Sequence, residues 1–245
     1  MNKRVEVLNC PVDITNFESA VNQVDKAVKN NSNFQIITIN PEMIMNAQKN
    51  KEFLDIIKNS DLNVADGVGV KIALKLKNIN CDNIRGVDFA RKLVELADKN
   101  NLPIAFLGAK EEVIQKACEN FKTKYPNLNI VYKRNGYFDN DEAIIEEINK
   151  ANPKIILIGL GSPKQEEIIV KLKKVLQGSI MIGVGGSFDV YSGFTKESPL
   201  IFRKLGLEWL YRTICQPERF KRIFPTLPIF LLKCIMENIG RRVEN

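Results

Sequence analysis

The stretch "KIILIGLGSPKQEEIIVKLKKVL", residues 154–176, joins an unbroken apolar run to a glycine loop and then to an amphipathic segment. Strands with one solvated face alternate apolar and polar residues, whereas residues 155–158 are all apolar. The run therefore predicts a strand that is covered on both faces. Because parallel strands are joined by crossover helices, the helix predicted after the loop indicates a parallel sheet.

The same alternation of strand and helix extends along most of the chain. Strands are predicted at 34–40, 62–65, 103–108, 129–138, 154–161 and 179–186, with a further strand near the start of the chain. Amphipathic helices are predicted at 41–60, 86–100, 110–125, 139–152 and 162–176. Residues 1–195 are thus predicted to form an α/β domain, a Rossmann-like parallel sheet with helices on both faces. Short helices are predicted for the C-terminal appendage, residues 196–245.

The appendage carries most of the positive charge. It contains ten Lys or Arg against five Glu, and so holds +5 of the formal net charge of +7. A solvated basic face is one interpretation, and packing on the domain or in a homo-oligomer interface is another. Nucleic-acid binding is not predicted, since no recognised module is present. Cations beside Phe220, Phe224 and Phe230 are typical of a helix at a membrane surface.

Composition also bears on localisation. No apolar run reaches the roughly 18 residues that a membrane-spanning helix needs, and the first 15 residues lack the apolar core of a signal sequence. The five cysteines are scattered and form no CxxC pair, which indicates reduced thiols rather than disulfides or a zinc site. These features predict a cytoplasmic protein.

Polar and glycine-rich segments follow the predicted strands, where ligands bind in open α/β sheets. They begin with Thr38 and Asn40, continue with Asp66, and end with residues 161–165 and 183–189. The chain has no histidine, so a general base must be Asp, Glu, Lys, Tyr or Cys. Asp66 fits that role, although it could equally cap the helix that starts after Gly67. Asp88 and Asp189 are further candidates, although the position of Asp88 in the first turn of a predicted helix favours a structural role.

Helix starts offer further sites and further structural alternatives. Ser162 and Pro163 are predicted to cap and begin a helix, whose N-terminus could also bind a diphosphate with Lys164 or Gln165. The motif Asp139-Asn140-Asp141 resembles a metal-binding DxD, but its spacing to Glu142 favours a capping box. No dinucleotide or P-loop motif is present. We therefore predict neither a metal nor a cofactor.

Eight motifs together carry a resemblance that covers nearly the whole chain. They are "TINPEM" (38–43), "NVADGVGV" (63–70), "GVDF" (86–89), "FLGA" (106–109), "GYF" (136–138), "GLGSPKQE" (159–166), "GVGGSFDVYSG" (183–193) and "RKLGLEWLYRTICQPERFKR" (203–222). In this order they resemble the WecG/TagA/CpsF family of glycosyltransferases. The resemblance implies an inverting, metal-independent transferase, peripheral at the cytoplasmic face of the membrane.

The resemblance also implies substrates. The donor would be a UDP-sugar and the acceptor an undecaprenyl-diphosphate-linked sugar. For the TagA branch these are UDP-N-acetylmannosamine and GlcNAc-diphosphate-undecaprenol, in teichoic acid synthesis for the cell wall. Another UDP-sugar, such as UDP-glucose or a UDP-N-acetylmannosaminuronate, remains an alternative. So does a non-catalytic module that only binds the sugar nucleotide or the lipid diphosphate.

Residue roles follow from the same resemblance. Asp66 would be the base, with Thr38 beside it in the active site. The resemblance would also place Asn40 and Gln165 at the substrate. The loops and helix starts that follow the strands add the other predicted substrate-binding positions, which are Gly67, Gly69, Arg85, Gly108, Gly161, Lys164, Gly185, Gly186 and Asp189. Arg212, Arg219 and Arg222 would contact the lipid diphosphate. The chain departs from the family pattern at Asn83, where other members carry Arg, and Arg85 is the nearest candidate to replace it.

Overall fold

The computed structural model describes residues 3–204, 206–215 and 220–243. The strands are β1 (Lys3–Val7), β2 (Cys10–Ile14), β3 (Phe34–Ile39), β4 (Leu62–Ala65), β5 (Ile104–Gly108), β6 (Ile130–Arg134), β7 (Ile155–Gly159) and β8 (Ile180–Gly183). The helices are α1 (Phe17–Lys29), α2 (Pro41–Ala47), α3 (Lys51–Lys58), α4 (Val68–Leu76), α5 (Gly86–Lys99), α6 (Glu111–Lys124), α7 (Asp141–Ala151), α8 (Lys164–Lys173), α9 (Ser187–Ser192), α10 (Leu200–Lys204), α11 (Glu208–Cys215) and α12 (Phe220–Val243).

A six-stranded sheet forms the centre of the molecule, in the order β4-β3-β8-β7-β5-β6. All five pairings are parallel, which confirms the predicted parallel α/β sheet. Strands β1 and β2 form a separate antiparallel pair. Alternate residues of the central strands enter opposite cores: Ile155 and Leu157 pack in one cluster, and Ile156 and Ile158 in another. Both faces of the sheet are therefore buried, as the apolar runs predicted.

Three predicted helix starts or spans are wrong, and local capping explains two of them. The span 41–60 divides into α2 and α3, because the side chain of Asn50 accepts a hydrogen bond from Phe53 N and starts a new helix. Helix α7 is capped by Asn140, which accepts from Ala143 N, and not by Asp139. Pro163, rather than Ser162, occupies the N-cap position of α8, without a side-chain cap.

The C-terminal segment differs from the expected set of short helices. Helices α10 and α11 are short, but α12 runs for 24 residues and contains Pro225 and Pro228. Phe230 and Cys234 of this helix are buried in the cluster that α2 and α4 also line. Within the described ranges, no helix combines the length and the apolarity that crossing a bilayer requires.

Gly69 allows α12 to lie close to α2 and α4. A Cβ atom at this position would lie 2.6 Å from Pro41 Cγ, 3.1 Å from Leu227 Cδ1 and 3.6 Å from Phe230 Cε1. Gly69 is itself buried within α4. This contact gives the glycine a packing role between three helices, in addition to the substrate-binding role predicted from its place in the glycine segment after Asp66.

Gly69→Ala should therefore lower the free energy of unfolding by about 1–3 kcal/mol, through overpacking of the three helices. Urea unfolding of the variant and the wild type measures this difference. Gly240→Ala is the matched control, since nothing lies within 4 Å of its Cβ position in α12. That variant should be neutral or gain up to about 1 kcal/mol from helix propensity. Equal stabilities of the two variants would contradict the packing role of Gly69.

Candidate functional site

The segments predicted to bind ligand lie along one edge of the sheet, because all six strands run in the same direction. Across this edge Asp66 follows β4, Asn40 follows β3, residues 184–186 follow β8, and residues 160–163 follow β7. Neighbouring strands lie about 4.8 Å apart, so β4 and β7 are separated by about 14 Å. The edge is thus suited to an extended ligand rather than a compact one.

Asp66 and Thr38 are brought together at the start of α5. The backbone N–H of Gly86 donates a hydrogen bond to Asp66 Oδ2 at 3.1 Å. A Cβ atom on Gly86 would lie 2.9 Å from Thr38 Oγ1 and 3.2 Å from Asp66 Oδ2. The three residues therefore form one tight group, and the carboxylate lies at the positive end of a 14-residue helix.

Asp66 is not the cap of α4, the structural alternative that local sequence left open. Gly67 occupies that N-cap position, with φ of 90° and no side-chain cap. Asp66 instead accepts from the first residue of α5, twenty positions further along the chain. Only glycine adopts such a positive φ readily, which explains the glycine directly after the acid.

The segment from Asn83 to Gly86 wraps around the end of β4. Ile84 N donates to the carbonyl of Ala65 at 2.8 Å, and Gly67 N donates to Asn83 Oδ1 at 2.6 Å. Asn83 thus holds the loop that follows Asp66. The bonds from this segment fix the backbone on both sides of the carboxylate.

Asn40 also has a structural role. Its side-chain oxygen accepts from Met43 N at 3.0 Å and caps α2, whose first residue is Pro41. The amide is half-buried at the end of β3, two residues after Thr38. Capping orients this side chain beside the predicted active site.

The glycines of the edge are of two kinds. Gly67, Gly161 and Gly185 have positive φ angles and nothing within 4 Å of their Cβ positions, so a ligand could approach their backbone. Gly108 differs, because a Cβ there would lie 2.3 Å from the carbonyl oxygen of Gly159 on the paired strand. Gly186 is exposed at the N-cap of α9.

Gln165 joins two loops of the edge. Its side chain is only 5% exposed, and its Oε1 accepts from Gly185 N at 3.0 Å. Its Nε2 donates to Glu166 Oε1 at 2.7 Å. Gly183 provides the space, since a Cβ there would lie 2.3 Å from Gln165 Nε2. The amide therefore holds the loop after β8 against the start of α8.

Glu166 is a buried acid that sequence reasoning missed. It is 1% exposed, and its Oε2 has no hydrogen-bond partner of normal geometry among the described residues. Burial raises its pKa from 4.5 to about 7. An acid in the first turn of a helix is ordinary on local grounds, so nothing in the sequence signalled its burial.

Other predicted residues take varied positions on the edge. Lys164 Nζ lies 4.5 Å from the ring centroid of Phe138, a cation–π contact. Asp189 lies half-buried in α9, and its carbonyl accepts from Thr195 N at 2.8 Å. Tyr137, which sequence reasoning left without a role, is 71% exposed in the loop after β6.

The arginines fall outside the group around Asp66 or outside the described part of the chain. Arg85 forms ion pairs with Asp88, Glu197 and Glu208. Arg212 and Arg222 lie on α11 and α12, but their side chains are not among those described. Arg219 lies outside the described residues.

The DxD motif and an open surface groove are two other places where a ligand could be expected. In the DxD motif, Asp141 pairs with Lys171 at 2.8 Å. Across residues 3–204, 206–215 and 220–243, no three His, Cys, Asp or Glu side chains converge as a metal site. An open groove of about 500 Å³ is lined by residues 14–16, Ser19, Lys71 and residues 80–82. None of the predicted site residues lines it.

Glu166→Gln should change the pH dependence of stability. Between pH 4.5 and about 7 the folded wild type keeps its proton while the unfolded chain releases it, so stability falls as pH rises through this window. Glutamine cannot ionise. The difference in unfolding free energy should therefore shift in favour of the variant by about 3 kcal/mol from about pH 4 to about pH 8.

Urea unfolding at both pH values measures this shift, and Glu167→Gln is the matched control on the exposed side of the same helix. The control difference should stay constant with pH. A constant difference for Glu166→Gln as well would show that folding does not raise the pKa of this acid.

Comparison with known proteins shows which family the chain belongs to. Residues 5–244 match the family described as "Glycosyl transferase WecG/TagA/CpsF family". Relatives in Staphylococcus aureus strains NCTC 8325 / PS 47 and COL are named N-acetylglucosaminyldiphosphoundecaprenol N-acetyl-beta-D-mannosaminyltransferase. Each is 34% identical over 234 residues, covering 94% of this chain and 91% of the relative. The family match over residues 5–244 and the 34% identity to these relatives lead to one conclusion: the chain belongs to the WecG/TagA/CpsF family of glycosyl transferases.

Proposed function

We propose that this protein transfers N-acetylmannosamine from UDP-N-acetylmannosamine to GlcNAc-diphosphate-undecaprenol, with inversion at the anomeric carbon. The named activity of the relatives supports these substrates. The observation that carries the chemistry is the group formed by Thr38, Asp66 and the N–H of Gly86 at the end of the parallel strands. It supplies a carboxylate base in a chain that has no histidine.

In this mechanism Asp66 accepts the proton of the acceptor sugar's hydroxyl. The hydroxyl oxygen attacks the anomeric carbon of the donor, and the bond between that carbon and the UDP oxygen breaks. UDP leaves with the bonding electron pair, and the attack from the opposite face inverts the configuration. The bond from Gly86 N orients the carboxylate, and Thr38 Oγ1 lies beside it to hydrogen-bond the acceptor.

The donor would lie along the sheet edge. Gly161 and the N-terminus of α8 can donate backbone N–H groups to the diphosphate, where negative charge develops on departure of UDP, and the open space at Gly185 lets the diphosphate approach the loop after β8. The exposed ring of Tyr137 can stack on the uracil base. The separation of about 14 Å between β4 and β7 suits a ligand with a base at one end and a sugar at the other.

The appendage would bring the enzyme to its lipid acceptor at the cytoplasmic face of the membrane. Helix α12 has two apolar faces: Leu227, Phe230 and Cys234 pack on the domain. The other face is exposed and comprises Phe224, Ile229, Leu232, Ile235, Met236 and Ile239. A basic segment with such a face favours contact with anionic lipid. Arg212, Arg219 and Arg222 would bind the lipid diphosphate.

Asp66→Asn should reduce turnover by about 10²–10⁴-fold, because the amide cannot accept the hydroxyl proton. The measurement is UDP release from UDP-N-acetylmannosamine with a short-chain GlcNAc-diphosphate-lipid, in the presence of a metal chelator. Asp82→Asn is the matched control, an exposed acid on the segment that leads to Asn83.

The control should keep wild-type turnover. Full activity of Asp66→Asn would remove Asp66 as the base and direct attention to Asp189. Absence of UDP release by the wild type, with folding intact, would refute this donor and acceptor pair.

The double substitution Leu232→Gln and Met236→Gln should weaken binding to vesicles that contain anionic lipid by about tenfold or more. Each side chain is exposed in the protein and would lose about 1.5–3 kcal/mol of burial in the membrane interface. Vesicle sedimentation measures the binding. Val175→Gln, an exposed apolar residue after α8, should bind like the wild type; unchanged binding of the double variant would contradict the assignment of this face.

A further inference from the structure

Six charged side chains join the start of α5 to the beginning of the appendage. Three are positive and three are negative, and each belongs to at least one ion pair with another member. The cluster consists of Arg85, Asp88, Arg91, Glu197, Arg203 and Glu208. It contains residues from only two parts of the chain, 85–91 and 197–208, and three of its six ion pairs cross between the α/β domain and the appendage.

Arg85 lies at the centre of this cluster. Its Nε and Nη2 donate to the two carboxylate oxygens of Glu208, at 2.7 and 3.1 Å. Its Nη1 donates to Asp88 at 2.6 Å and to Glu197 at 3.2 Å. The side chain is only 11% exposed. All three nitrogens thus bond carboxylates, and a phosphate could reach the guanidinium only by displacing them.

The bidentate pair connects two functional elements of the proposed enzyme. Arg85 is the N-cap of α5, and the next residue, Gly86, donates its N–H to Asp66. Glu208 is the first residue of α11. Two-bond carboxylate–guanidinium pairs fix orientation as well as distance, so this pair sets the start of α11 relative to the backbone that holds the base.

A second contact between the appendage and the α/β domain lies close to Asp66. The turn before α11 lies against the start of α4, where a Cβ on Gly206 would be 2.9 Å from Val68 Cβ. Val68 follows Asp66 by two residues. The appendage therefore meets both segments that flank the carboxylate, through packing at one and through ions at the other.

We propose that Glu208 is a positioning residue of the transferase: through Arg85 it holds α11 at the catalytic carboxylate, so that the acceptor's diphosphate is bound in register with the base. This inference rests on the proposed function. It also assigns Arg85 to the same positioning task, in place of direct contact with substrate. The site proposed for the donor along the sheet edge does not include the pair.

The variants Glu208→Ala and Glu208→Gln test this inference. After either change Arg85 keeps Asp88 and Glu197 as partners, so its charge is not left unpaired. Glutamine preserves the shape and one acceptor oxygen, and alanine preserves neither. Glu147→Ala is the matched control, because Glu147 accepts two bonds of 2.9 Å from Arg134 on the exposed surface.

Steady-state kinetics with the short-chain acceptor and the UDP-sugar provide the readout, together with calorimetric binding of UDP and of the acceptor alone. Glu208→Ala should lower kcat/KM for the acceptor by about 10–100-fold, as expected for misplaced binding groups, with UDP affinity and the urea midpoint close to wild type. Glu208→Gln should recover part of the loss. Glu147→Ala should match the wild type in every measurement.

Each outcome decides between the inference and the function on which it rests. A wild type that turns over, with Glu208→Ala within twofold of it, overturns the positioning role alone. An equal loss of UDP and acceptor affinity in Glu208→Ala also overturns it, since the pair would then support the whole site. A wild type that neither binds nor uses the acceptor refutes the proposed function and the inference together.

Discussion

Burial of the parallel sheet on both faces is the constraint on which the rest of this structure depends. Each strand must pair its backbone groups within the sheet and then leave it through a helix that covers one face. All six strands therefore end at the same edge. The polar residues that follow β4, β3, β8 and β7 lie along that edge in the order of the strands. No strand has to bend toward the site, because the direction of the chain already brings those residues to it.

The hydrogen bond between Gly86 N and Asp66 Oδ2 turns this general edge into a particular site. It joins the end of β4 to the start of α5, twenty residues further along the chain. The absence of a side chain at Gly86 admits Thr38 to the same space. The appendage also contacts this site. Glu208 of the appendage pairs with Arg85 and Gly206 packs against Val68, and Arg85 and Val68 flank the bond.

Glu166 is a buried acid at the same edge of the sheet, and its burial is energetically unfavourable when it is ionised. Its carboxyl group is buried, and its raised pKa reflects the cost of ionising it there. The side-chain amide of Gln165 donates to Glu166 and accepts from Gly185 N. Gln165 thereby joins the loops that follow β7 and β8. Conversely, α12 leaves one apolar face exposed while its other face completes the core with Phe230. Neither feature would be expected from stability alone.

Sequence alone determined the α/β class, the parallel sheet, the strands from β3 to β8 and the grouping of Thr38, Asn40 and Asp66 at one edge, because apolar runs and strand ends are local properties. It also carried the family resemblance. Local patterns failed where an asparagine side chain caps a helix: Asn50 starts a new helix within a predicted one, and Asn140 caps α7 in place of Asp139. Only the tertiary structure decided that Asp66 bonds α5 rather than capping α4, that Gly69 packs three helices, and that Arg85 pairs with Glu208. Those contacts join residues far apart in the chain, and their partners are chosen by how the helices pack, which periodicity and spacing do not encode.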